Sequence, residues 1–134
     1  MALLGYVLVL KLNGKIMVKI ATDISQSKKL AKILPIESAD MHWKNGVSDK
    51  YIQCFTPFVT DDYRSNVDYD YDIPCWSLAA LLGVLPQIQG GKPVISLDDN
   101  YITYPHVSDL HTKADNLVDA CVEMIIKLKE EGLL

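Results

Sequence analysis

Cysteine is scarce here and carries no pattern: Cys54, Cys75 and Cys121 are odd in number, far apart, and form no C-x-x-C. That argues against a disulfide framework or a structural zinc site and for reduced thiols in a cytoplasmic protein. Basic excess is missing as well. A net charge of −4 and a pI near 5.2 do not suit a non-specific grip on phosphate backbones, which needs a basic face. Lys11, Lys15, Lys19, Lys28, Lys29 and Lys32 nevertheless give the first third a positive balance, so nucleic-acid association through these lysines stands as a minor alternative. No apolar run is long enough to span a bilayer. Ala2–Leu10 is apolar, but no positive region precedes it and no small-residue cleavage site follows, so it reads as neither signal peptide nor span.

What is present is an ordinary globular mixture. With 134 residues, 49% of them apolar and 22% charged, residues 1–134 are expected to form a single domain with its own core. The longest apolar stretch is Asp72–Pro86, D-I-P-C-W-S-L-A-A-L-L-G-V-L-P. Asp72 can cap a helix there, with Pro74 in the first turn, and the surface that follows is apolar nearly all round. About twelve residues span roughly 18 Å, too short for a bilayer, so the stretch predicts a buried central helix.

Ahead of it, Tyr6–Leu12 and Lys15–Ile20 flank Asn13-Gly14, a two-residue type I′ hairpin signal that places Val7, Val9, Ile16, Val18 and Ile20 on one face. Asp23-x-x-Gln26 reads as a capping box opening a helix with Ile24, Ser27, Leu30, Ala31 and Leu34 inward, ended by Pro35. Ala39, Met41 and Trp43 alternate with Asp40, His42 and Lys44 as a half-buried strand, and Tyr51–Phe55 reads as another, closed by Pro57. Beyond the central helix, Val94–Asp98 and Tyr101–Tyr104 flank Asp99-Asn100 as a second hairpin. A last helix starts near Thr112–Asp115, with Leu117, Val118, Cys121, Met124, Ile125 and Leu128 as its core stripe and Gly132 as its stop. The expected fold class is therefore α+β: three helices packed on a small, mainly antiparallel sheet of short hairpins.

Several of these pieces together resemble an uncharacterised family of small Bacteroidetes proteins, often phage- or mobile-element-associated. They are Ala21–Leu30 (A-T-D-I-S-Q-S-K-K-L), Ser38–Met41 (S-A-D-M), Asp72–Leu82 (D-I-P-C-W-S-L-A-A-L-L) and Asp115–Leu128 (D-N-L-V-D-A-C-V-E-M-I-I-K-L). Residues 1–20 fall outside that pattern. The resemblance implies a setting and no activity.

Chemistry is thinly signalled. Asp68-x-Asp70-x-Asp72 looks like the start of an EF-hand loop, but Ile73 stands at the glycine position and Ala79 at the bidentate glutamate position. His106 and His111 match no zinc spacing, and Gln89-Gly90-Gly91-Lys92 lacks the Walker pattern, so neither a metal nor a cofactor is expected. Cys75 in a first helical turn could be an activated thiol, though buried cysteines more commonly pack. Asp40 and His42, two apart on one strand face, could do acid–base work, although strand faces are commonly polar outside.

The remaining feature is an acidic-aromatic loop, Thr60–Asp72, expected to be mobile. In it Asp61, Asp62, Tyr63, Asp68, Tyr69, Asp70 and Tyr71 offer charge and adaptable contact area to a protein partner. The sequence thus points first to a small non-catalytic interaction or accessory protein with an unidentified partner, a homodimer being compatible. A small-ligand binder or minor enzyme using Asp40, His42 and Cys75 is the alternative.

Overall fold

The computed structural model describes residues 9–12, 15–43, 58–59 and 73–134. They form an α+β fold of three helices and short antiparallel strands. The order is β1 (Val9–Leu12), β2 (Lys15–Lys19), α1 (Ile24–Ala31), β3 (Met41–Trp43), β4 (Phe58–Val59), β5 (Ile73–Cys75), α2 (Leu78–Val84), β6 (Val94–Ser96), β7 (Tyr101–Thr103), β8 (His111–Lys113) and α3 (Leu117–Glu130). The strands make a β1–β2 ribbon and two three-stranded sheets, β4-β3-β5 and β6-β7-β8. Among the described residues, no helix is long and apolar enough to cross a membrane.

The first hairpin keeps the expected pairing at its tip, Leu12 with Lys15 and Lys11 with Ile16, but then shifts register. Leu10 pairs with Val18 and Val9 with Lys19, one residue beyond an unbroken two-residue hairpin. Such a bulge adds a residue to one strand and sharpens its twist. Lys19, at the end of β2, reaches the start of α1 and the first turn of α3.

Helix α1 begins as its sequence requires. The Asp23 carboxylate accepts the Gln26 backbone N–H at 2.8 Å, and the Gln26 side chain accepts the Asp23 N–H at 3.1 Å. Ser27, Leu30 and Leu34 are buried, Ile24 is only half-buried and Ala31 faces solvent, so the stripe is narrower than its periodicity suggests.

The central stretch departs from the single buried helix. Ile73, Pro74 and Cys75 are a strand, antiparallel to β3 with Met41 opposite Cys75 and Trp43 opposite Ile73. β5 lies at the edge of its sheet, the one place where a proline without an N–H costs no ladder bond. Asp72 lies outside the described residues, and the cap of α2 is Ser77, whose hydroxyl accepts the Ala80 N–H at 3.2 Å. The helix that remains has seven residues, of which only Leu81 is buried; Ala79 and Gly83 are exposed. An apolar strand and a short apolar helix, divided only by the Ser77 cap, had merged into one apolar run.

In the C-terminal half the expected hairpin and last helix both form, with the hairpin's first strand ending at Ser96 and not Asp98. β6 and β7 pair around the 97–100 turn, where Asn100 takes the left-handed conformation at φ 50°. β8 is an additional strand that pairs Ile102 with Thr112 and makes β7 central. Thr112 is therefore not a helix cap. Its hydroxyl donates to the Ala120 carbonyl at 2.8 Å, and Asn116 caps α3 by accepting the Asp119 N–H at 2.9 Å. All six expected stripe residues of α3 are buried, with Ala120 and Val122 beside them. At its far end Gly132 sits at φ 72°, and Leu133 N–H reaches back to Leu128 O at 2.8 Å, so the last carbonyls are satisfied.

Two cores result. The larger gathers Leu30, Trp76, Leu81, Ile102, Tyr104 and the α3 stripe, while a smaller one holds Ala21, Trp43, Ile73 and Cys75. Between them runs the segment 20–22, antiparallel to 76–78: Thr22 N–H donates to Trp76 O at 3.0 Å and Leu78 N–H to Ile20 O at 3.1 Å.

Candidate functional site

Two polar clusters and one cleft are built where these elements meet. The first centres on Lys19. Its side chain is 5% exposed, and its ammonium donates to Asp119 Oδ1 at 2.9 Å, Gln26 Oε1 at 2.9 Å and Asp23 Oδ2 at 3.1 Å. Asp119 also accepts Gln26 Nε2 at 2.7 Å and Asn116 Nδ2 at 2.8 Å. A buried charge is tolerable only when paired and hydrogen-bonded, and here three donors converge on one carboxylate. Burial works against ionisation of Asp119, yet the hydrogen bonds from Lys19, Gln26 and Asn116 and the Lys19 charge outweigh it. Its carboxyl is held below the usual carboxylate range. The cluster is a brace joining β2, α1 and α3.

Beside it lies an open cleft of about 370 Å³ between α1 and the start of α3. Lys29 and Gln26 line it from α1; Asp115, Asp119 and Glu123 face them above the apolar Val122. Gln26 and Asp119 are engaged in the brace, so the remaining cleft charges are Lys29 on one wall and Asp115 and Glu123 on the other.

The second cluster surrounds Thr22 in the seam between the two cores. Its hydroxyl lies 2.8 Å from Ser27 Oγ and accepts the Trp76 N–H at 3.1 Å; its carbonyl accepts Trp43 Nε1 at 3.2 Å and the Cys75 thiol at 3.3 Å. Cys75 is thus on a strand within a sealed core, not in the first turn of a helix. Burial pushes its thiol up to about 12 against the pull of the Thr22 and Ser27 hydroxyls. Held in this way, the Cys75 side chain packs within the smaller core.

Asp40 and His42 do not share a face. Asp40 precedes β3 and is exposed; it accepts the Ser77 N–H at 2.9 Å and the Ser77 hydroxyl, which fixes the start of α2. His42 is buried at 3% exposure, opposite Pro74 and Phe58 in the sheet. The alternation that should have sent His42 outward therefore fails, with His42 and Trp43 both buried. His106 meets the Ile88 carbonyl and the face of Gly91, where a Cβ would collide with its ring, while His111 lies against Tyr101 at 5.8 Å. Among the described residues, no three His, Cys, Asp or Glu side chains gather as a metal site.

The expected partner-loop residues, Asp61, Asp62, Tyr63, Asp68, Tyr69, Asp70 and Tyr71, lie outside the described residues, as does the Tyr51–Phe55 strand. Of the N-terminal lysines, Lys19 is consumed by the brace, whereas Lys28, Lys29 and Lys32 stand exposed on α1. Sequence reasoning missed the brace because Asp23 and Gln26 already had a complete local role as a capping box. Nothing in Lys19 or Asp119 announces a partner 100 positions away.

No family model, no curated protein and no solved structure matches the chain.

Proposed function

We propose that this chain is a small non-catalytic interaction or accessory protein, working in the cytoplasm in the setting of a phage or mobile element. The observation that carries the reading is the β6–β7 hairpin, which holds Leu97 at 74% exposure and Val94 at 54%, both on or next to an edge strand. Apolar side chains held out to water beside a sheet edge that carries no further strand among the described residues favour a protein contact. The polar residues that could have carried chemistry instead have internal duties. Asp40 holds the start of α2, and the Cys75 thiol donates within the Thr22 cluster. The 60–72 loop, with its alternating aspartates and tyrosines, is the second proposed contact.

A pull-down from native lysate separates the two, using the intact chain, one with residues 60–70 replaced by Gly-Ser, and one carrying Val94→Lys and Leu97→Lys. A partner lost only with the lysine pair places contact at the hairpin. A partner lost only with the loop places it there. Capture of nothing by any of the three, with turnover of a small molecule by the intact chain, overturns the reading.

A further inference from the structure

The sequence around β6 is oppositely charged at its two ends: Lys92-Pro93-Val94-Ile95-Ser96-Leu97-Asp98-Asp99 carries a cation before the strand and two acids after it. Lys92, Asp98 and Asp99 are all exposed, as are Val94 and Leu97 between them. Among the described residues β6 pairs with β7 alone, and no strand lies along its other edge. We infer that this edge pairs with β6 of a second copy of the chain, antiparallel and across a two-fold axis at Ile95. The inference rests on reading the hairpin as a contact surface and names its occupant.

Charge selects that occupant. An antiparallel copy of the same strand reverses the order of charges, which brings Lys92 of each copy to the Asp98-Asp99 turn of the other, at both ends of the contact at once. Parallel pairing would set lysine beside lysine and acid beside acid, which is unfavourable. In the antiparallel register Val94 lies opposite Ser96 and Pro93 opposite Leu97. The most exposed large apolar side chain of the hairpin is thereby covered. Two three-stranded sheets join into one of six, and because the same patch is used on both copies the assembly closes at two. A strand of three residues gives a small contact, so the dimer is reversible and concentration-dependent.

Sedimentation velocity of the full chain, from micromolar to millimolar, tests this with three variants: Lys92→Glu, the pair Asp98→Lys with Asp99→Lys, and all three together. Wild type moves from monomer to dimer. Each single-sign variant sets like charges opposite at both ends and weakens association about tenfold; the combined variant, with charges exchanged, recovers it. The sites are exposed, and unchanged far-ultraviolet circular dichroism confirms each variant's fold. A wild type that stays monomeric throughout overturns the inference, and so does a combined variant no better than its parts. A monomer that still captures a Leu97-dependent partner overturns this inference alone and leaves the interaction reading standing.

Discussion

Lys19 and Asp119, 100 positions apart in the chain, meet at 2.9 Å and tie the first hairpin to the last helix. Since Gln26 and Asp23 share the same ammonium, the contact closes three elements at one point.

Replacing Lys19 with Met removes the cation and leaves the neighbouring carboxylates facing one another. Breaking a fully buried pair costs about 3–5 kcal/mol, and Asp119 here retains 30% exposure, so the expected loss is roughly 2 kcal/mol. Urea denaturation measures it. The double variant Lys19→Met with Asp119→Leu, which removes both charges, should recover part of that loss.

Acid should undo the same brace. The folded carboxyl of Asp119 lies below its ordinary value, so its contribution is fully present above the unfolded value and is lost as pH falls through the folded one. The stability gap between wild type and Asp119→Asn is therefore expected to be steady from neutral pH down to about 5 and to close below about pH 4. Denaturation curves of both proteins at stepped pH read this out; a gap that widens in acid contradicts it.

Thr22→Val keeps the shape of the side chain and removes its hydroxyl. The Trp76 N–H and the Ser27 hydroxyl then lose a partner inside the protein, at a cost of about 1–3 kcal/mol. Thr22→Ser, which keeps the oxygen, should cost less. Thermal unfolding of the two variants side by side decides the matter.

Cys75 and Cys121 should resist alkylation at pH 8 in the native protein. Burial pushes both thiols up to about 12 and screens them from reagent. Mass-spectrometric mapping should show both modified at the rate of unfolding and promptly in denaturant. Fast native labelling of Cys75 would favour the reading of it as a nucleophile.

Much of this architecture was legible in the sequence. The α3 stripe and the Asp23–Gln26 box rest on local rules, period and capping, and they hold, whereas the β6–β7 hairpin forms with a four-residue turn at 97–100 in place of the expected two-residue Asp99-Asn100 turn. The central stretch was misread because composition cannot show where one apolar element ends and another begins; Ser77, the residue that marks the boundary, looked like an interruption inside a helix. β8 was missed because His111–Lys113 is short and mostly polar, a strand made by its neighbour β7 more than by its own propensity. Of the alternative site residues, Asp40 and Cys75 are drawn into contacts 37 and 53 positions away, which no local pattern encodes.

The chain has two tryptophans, and both report on one place. Trp43 donates its indole N–H to the Thr22 carbonyl at 3.2 Å, and Trp76 donates to Ser38 Oγ at 2.9 Å from the other side of the seam. Intrinsic fluorescence therefore watches the junction of α1, β3 and β5. The helical circular dichroism signal is dominated by α3, the longest helix described. Coincident melting in the two signals would mark the brace and the seam as one cooperative unit. An earlier fluorescence transition would show the seam opening while the C-terminal half stays folded.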